Sequence, residues 1–244
     1  MFTASIISQN SMAYEAANVI ASAKRGDPEA QTKLGVQYLV GYGVVKNPEE
    51  GIKWLKKAAQ QKHGGALFTL GKVYYEGLVV KRDVEQAINL YRASAQTGET
   101  ASMVELGKIY AAWSDDGIVD FNESEEWYRK AVNLNNSKAM ALLGWAIYAK
   151  NKSEAVDFFR RAASMGDADG MIAYGRMYQN GVVVPTSTIK AHMWFTLAEK
   201  NGGAGADTLV RLMESEMTVH EMEESRRYAA NCLWKRYSNC GEEN

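Results

Sequence analysis

Cysteine is nearly absent from this chain of 244 residues, which carries only Cys232 and Cys240. Two thiols are too few for a disulfide framework. On one continuous helix they would stand about 12 Å apart, out of bonding reach, so a bridge requires the helix to end near Tyr237 and the tail to fold back. No apolar run approaches the roughly 18 to 20 residues of a membrane-crossing helix. The stretch Met1 to Met12 places no Lys or Arg before a short, weak apolar segment, unlike a secretory leader. The expected compartment is the cytoplasm if the chain is complete, and the periplasm or the exterior if a leader has been removed. An excess of positive charge is missing too: 28 Lys and Arg face 29 Asp and Glu, a net charge of -1. The broad attraction that drives non-specific binding to nucleic acid is therefore absent, and no nucleic-acid partner is expected.

The residues of common catalytic motifs are equally sparse. His63, His192 and His220 share no motif. His220-Glu221-Met222-Glu223-Glu224 lacks the second histidine at i+4 that a zinc helix needs, and fits better as a first-turn acidic cluster favoured by the helix dipole. Asn201-Gly202-Gly203-Ala204-Gly205 has no following Gly-Lys-Ser/Thr to hold a phosphate, and reads as a turn. Asp115, Asp116, Glu123, Glu125 and Glu126 supply carboxylates, but with no nucleophile set beside a base. No catalytic, metal or cofactor site is assigned.

What is present is a repeat. Ala30, Leu34, Gly35, Tyr38, Gly41, Asn47, Gly51 and Trp54 return 36 residues later as Ala66, Leu70, Gly71, Tyr74, Gly77, Asp83, Ala87 and Leu90. A third copy carries Leu106, Gly107 and Tyr110, a fourth Leu143 and Gly144, and a fifth Tyr174, Gly175, Tyr178 and Gly181. A period of this length marks an architecture in which each unit buries its apolar face against its neighbours. The spacing i, i+4, i+8 of Ala30, Leu34 and Tyr38 puts them on one face of a helix, and Ile52, Leu55 and Ala59 do the same on the next. Each unit is a helical hairpin. The expected fold is all-α: a right-handed α-solenoid of about five hairpins with capping helices at both ends. The boundaries follow: residues 1–27 as an N-terminal segment and cap, five repeats over 28–202 (28–63, 64–99, 100–136, 137–166, 167–202), and C-terminal caps and tail over 203–244.

Local chemistry marks the joints. Asp27-Pro28 and Asn47-Pro48 place a capping side chain before a proline whose missing N–H is harmless at the first helical position. Asn47 with Glu50, Asp83 with Gln86, and Asp120 with Glu123 have the spacing of reciprocal capping pairs. The helix-interior glycines Gly35, Gly71, Gly107, Gly144 and Gly175 each cost about 1 kcal/mol relative to alanine, so a close approach of the paired helix is expected, with small Ala58 and Ala59 on the facing side. The loop valines, such as Val44, Val45, Val79, Val80 and Val183, are expected to tuck between hairpins. Repeat four is shortened, which calls for a tighter turn. Val19, Ile20 and Ala23 form the apolar side of an N-terminal helix. At the far end Thr218 caps a last amphipathic helix carrying Met222, Ala229, Leu233, Trp234 and Tyr237, with Met217 and Met222 as a hydrophobic staple.

The pattern A-x-x-x-L-G-x-x-Y-x-x-G-x-G-V, then a spacer and W-x-x-x-A-A, resembles the Sel-1-like repeat family, relatives of the tetratricopeptide repeats. The resemblance covers about Pro28 to Gly202. It implies a non-enzymatic scaffold or adaptor for protein complexes, with an immunity protein that neutralises a secreted toxin as the alternative, and an enzyme with a site between repeats as a third. By analogy with tetratricopeptide arrays, the first helices line a concave face. Partner-binding candidates there are Phe68, Lys72, Tyr75, Lys108, Trp145, Tyr148, Arg176 and Gln179. Basic groups at Lys72, Lys108 and Arg176 beside aromatic anchors suit a protein or peptide partner with acidic and apolar side chains. Phe68 and Trp145 would equally serve to fill space between repeats.

Overall fold

The structure, a computed structural model, describes residues 15–111, 119–237 and 240. The reading of Met1 to Met12, and that of Asp115 and Asp116, lie outside them. The described residues divide into two compact units, 15–109 and 110–111 with 119–237 and 240. The first contains α1 (15–24), α2 (Pro28–Val40), α3 (Pro48–Gln60), α4 (Gly64–Glu76), α5 (Val84–Ala95) and all but the last residue of α6 (Thr100–Tyr110). The second contains α7 (Phe121–Asn133), α8 (Ser137–Ile147), α9 (Lys152–Ser164), α10 (Ala168–Asn180), α11 (Thr188–Lys200), α12 (Ala206–Glu214) and α13 (Val219–Trp234). The architecture is an all-α helical repeat solenoid. No helix among the described residues is long and apolar enough to cross a membrane.

The helices begin and end where side-chain chemistry sets them. The Asp27 carboxylate accepts from the backbone N–H groups of Glu29 and Ala30, and Pro28 opens α2. Asn47, Asp83, Asp120, Asn136, Asn151, Asp167 and Ser187 cap later helices in the same way. His63 joins this set, since its Nδ1 accepts from Ala66 N–H. The reciprocal arm forms at Thr218, whose backbone N–H donates to Glu221 at 2.8 Å. Elsewhere the acidic partner turns away: Glu50 meets Lys53, and Glu123 accepts from Trp127 Nε1. The first helices α2, α4 and α10 stop at Gly41, Gly77 and Gly181 in the left-handed conformation, which costs a residue without Cβ little.

One bond recurs across every hairpin turn. The N–H of the second helix's cap donates to the carbonyl at the repeat's Tyr position: Asn47 to Tyr38, Asp83 to Tyr74, Asp120 to Tyr110 and Ser187 to Tyr178, at 2.9–3.0 Å. In shortened repeat four Asn151 reaches Ile147 at 2.8 Å, so the turn tightens while its anchor persists. Turns between repeats have their own tie. Gln61 Nε2 donates to Gly26 O, and Asn201 Nδ2 to Gly166 O, each one repeat back.

The repeated glycines do sit at a close helix approach, but the facing group differs from the expected alanines. A Cβ on Gly35 would stand 2.6 Å from Leu55 Cγ, one on Gly71 2.7 Å from the Tyr91 ring, and one on Gly175 2.7 Å from the Phe195 ring. Gly144 faces Phe159 in the same way. The glycine is thus a socket for one large side chain of the second helix. Tyr91, Phe159 and Phe195 are essentially without solvent exposure, and Ala58 belongs to the core cluster with Ile52, Leu55, Ala66, Leu70 and Val73.

Two further expectations need correction. The loop valines do not all tuck in: Val44 and Val80 pack on the core, whereas Val45, Leu78, Val79 and Val183 remain exposed. At the C-terminus α13 ends at Trp234, so Trp234 points into solvent and Tyr237 lies beyond the helix. With the helix ended there, Cys232 and Cys240 come to a Cα–Cα distance of 5.1 Å and are bonded. Tyr237 then donates its hydroxyl to Asn201 Oδ1 at 2.9 Å. Val19, Ile20 and Ala23 of α1 pack on Ala30 and Leu34 as the pattern requires. Met217 and Met222 join Ala191, Phe195, Val210 and Met213 in one cluster under α12.

Candidate protein-binding surface

The first helices α2 and α4 lie side by side in the first unit, and the loops that follow them close one end of the space between. The result is an open recess of about 410 Å3, walled by Val36, Leu39, Val40, Val73, Leu78 and Val79, with Lys46, Lys72 and Glu76 at its rim. Four of those apolar side chains are exposed, Leu78 at 82% and Val40 at 64% most of all. Alternation along each helix explains the placement. Leu34, Gly35 and Gln37 are the buried positions of this part of α2, which turns Val36 and Val40 outward.

The sequence-derived candidates fall around this face unequally. Lys72 stands on the recess, 3.5 Å from Glu76 one turn on, both side chains well exposed. Phe68 is half-buried with its ring 5.8 Å from that of Tyr91, so it fills the hairpin. Tyr75 lies beneath the Arg82 guanidinium at 5.3 Å, while Arg82 Nε donates to the Tyr75 carbonyl. Lys108 is half-buried and held 2.8 Å from Glu105. The two lysines therefore carry carboxylates of their own helices, which softens the basic character expected of them.

In the second unit Trp145 and Tyr148 form a cluster with Phe159, ring centroids 4.7 to 6.5 Å apart. Trp145 remains 43% exposed and edges a smaller recess of about 200 Å3 with Phe121, Tyr128 and Leu142. Arg176 is exposed, with no ion-pair partner among the described residues. Gln179 turns its amide to Met213 Sδ at 3.5 Å, away from a free surface role. Sequence reasoning missed Val40, Lys46, Leu78 and Val79 as surface groups. The signal is the apolar pair Leu78-Val79 outside a helix, of which Val79 is expected from the sequence to tuck between hairpins.

A polar trio, two of its members buried, lies between α11, α12 and α13. His192 Nδ1 is 2.8 Å from Ser225 Oγ, and its Nε2 is 3.6 Å from Glu214, which also pairs with Arg226 at 2.8 Å. The order hydroxyl, imidazole, carboxylate is that of a hydrolytic relay. Here Ser225 and His192 are closed to solvent at 0% and 1% exposure, so the trio fastens α13 onto α11 and offers no entry for a substrate. Burial holds the imidazole below its ordinary pKa, against the pull of Glu214. No group of three His, Cys, Asp or Glu placed for a metal ion occurs among the described residues.

Comparison with known proteins follows the architecture. Five segments match the Sel1 repeat: residues 28–63, 65–98, 100–136, 137–167 and 168–203. A search of curated proteins gave no match. Among solved structures, a Sel1 repeat protein from Oxalobacter formigenes superposes with a TM-score of 0.71 at 22% identity, covering 94% of this chain and 98% of that one. The protective antigen c5321 of uropathogenic Escherichia coli, which displays an SLR fold, gives 0.55 at 19% identity over 93% of this chain and 58% of its own. A putative Sel1 repeat protein from Klebsiella pneumoniae gives 0.51 at 20% identity, covering 82% and 99%. Likeness at these identities speaks for the fold, and the five matched segments for the family: the chain belongs to the Sel1 repeat family.

Proposed function

We propose that this chain is a non-catalytic scaffold that holds a partner protein along the exposed face of its first helices. The observation that carries the reading is the recess between α2 and α4, whose apolar walls stand in water where a solenoid otherwise buries such groups between repeats. Exposed apolar surface rimmed by charge favours protein association. The partly exposed Trp145 in the second unit is the best candidate for an aromatic anchor, the residue type most enriched at interface hot spots. The surfaces around Lys72, Lys108 and Arg176 would contribute attraction and orientation more than affinity.

The test is calorimetric titration of parent and variants against a protein that co-purifies from the native host, with folding checked first. Trp145→Ala should remove an anchor of about 2 kcal/mol or more. Lys72→Glu with Lys108→Glu should slow association and reduce its dependence on salt. A single nanomolar partner that is an enzyme, inhibited on binding, would turn the scaffold reading into an immunity role. Unchanged affinity in all the variants would remove the first-helix face as the site.

A further inference from the structure

We propose that the α2–α4 recess receives an amphipathic segment of a partner protein that inserts two or three bulky aliphatic side chains and sets carboxylates against Lys46 and Lys72. The inference rests on the scaffold reading and names the occupant of its best-formed site. Shape comes first. The walls are mostly aliphatic, with Thr69 the uncharged polar residue among them, and Val73 at the base is only 8% exposed while Leu78 and Val40 at the lip are largely free. This is a depression that side chains enter, and a flat bilayer surface would meet only its lip.

Charge supplies the second half. Lys46 has no hydrogen-bond or ion-pair partner among the described residues. Lys72 meets only Glu76, at 3.5 Å with side-chain exposures of 58% and 41%. Such an exposed pair is weakly held, so the ammonium can turn to an incoming carboxylate at little cost. Two cations and one carboxylate around an aliphatic floor complement a segment in which Leu, Ile, Val or Phe alternate with Asp or Glu. A basic segment would meet like charge on both sides of the recess, and repulsion of that kind excludes wrong partners more strongly than attraction selects right ones.

The experiment selects ligands for the full chain from a phage-displayed library of random 12-residue peptides. Affinities of the enriched peptides, made synthetically, are then measured by fluorescence anisotropy on parent, Val40→Asp, Leu78→Asp, Lys72→Glu and Trp145→Ala. Val40 and Leu78 are exposed, so the charged variants should keep the parent's circular dichroism. Enriched peptides are expected to carry at least two bulky apolar residues and an acidic one, and to bind each Asp variant at least tenfold more weakly. Lys72→Glu should weaken binding several-fold, with recovery when the peptide's acidic residue is changed to Lys. Peptides that ignore the Asp variants but lose affinity for Trp145→Ala would overturn this occupant and leave the scaffold reading standing. Failure of any peptide to enrich would overturn this occupant and leave the scaffold reading to its own test on a co-purified protein. Binding of phosphatidylglycerol vesicles that Leu78→Asp abolishes would assign the recess to a membrane instead, and a dimer that Leu78→Asp dissolves would assign it to a second copy of the chain.

Discussion

At the scale of single residues, the hairpins depend on pairs of opposites: a glycine with no side chain and a ring or leucine that uses its space. The Tyr91 ring lies 2.7 Å from where a Gly71 Cβ would be, and Tyr91 is itself 1% exposed, so neither group can step aside. Gly71→Leu is expected to lower unfolding free energy by about 1–3 kcal/mol or more, read from urea denaturation followed by circular dichroism. Val183 is the converse case. It adopts φ +66°, where the first repeat has Gly43 at +69°, and a β-branched side chain there carries roughly 1–2 kcal/mol of backbone strain. Val183→Gly relieves it, less the chain entropy that glycine adds, so a small rise in melting temperature is expected. His192 gives a pH effect. Its folded pKa lies below the ordinary value of 6.5, so the unfolded chain takes up the proton first. Stability is therefore full above pH 6.5 and falls as the pH drops below it, levelling once the folded imidazole also titrates. His192→Gln should flatten the urea midpoint between pH 7 and the onset of carboxylate titration, and an unchanged slope would clear His192 of the effect.

Elements behave as the period in the sequence requires, except where an end or a loop is concerned. Helices and their caps were legible because Asp27-Pro28, Asn47 and Asp83 act on backbone N–H groups two or three residues away. The function of His63 as a cap was not legible, since histidine is an uncommon cap and its bond depends on the turn geometry. The fate of Val45, Leu78 and Val79 depends on what lies across the loop, which local pattern does not carry. For the same reason the candidate site is only partly legible: Lys72 lines the recess, but Phe68 packs in the hairpin, and the wall residue Val79 belongs to a loop expected to tuck between hairpins. The end of α13 was misjudged because apolar Trp234 extends the helical pattern while the chain turns at Arg236 and Tyr237, both at positive φ.

For the molecule as a whole, the terminal helices decide whether the repeats stay in solution. α12 and α13 cover α11, with Ala191 and Phe195 under α12 and Ser225, Ala229 and Cys232 forming the buried side of α13. Deleting the chain from Met217 onward leaves α12 in place but uncovers the side of α11 that α13 covers, so aggregation or a marked loss of monomer in size-exclusion chromatography with light scattering is expected. A monomer with the parent's melting curve would show that α13 is dispensable. The cap-to-Tyr bond at each hairpin turn has a different consequence. It pins the same two backbone points whether eight residues intervene, as in 39–46, or three, as in 148–150. Each connector is thus a splice between fixed ends, and lengthening a flexible loop costs little, about 0.6 kcal/mol per doubling. A foreign epitope inserted between Gly43 and Val45 should leave the far-ultraviolet spectrum and the cooperativity of melting intact. The array would then serve as a display frame whose cargo changes without redirecting its helices.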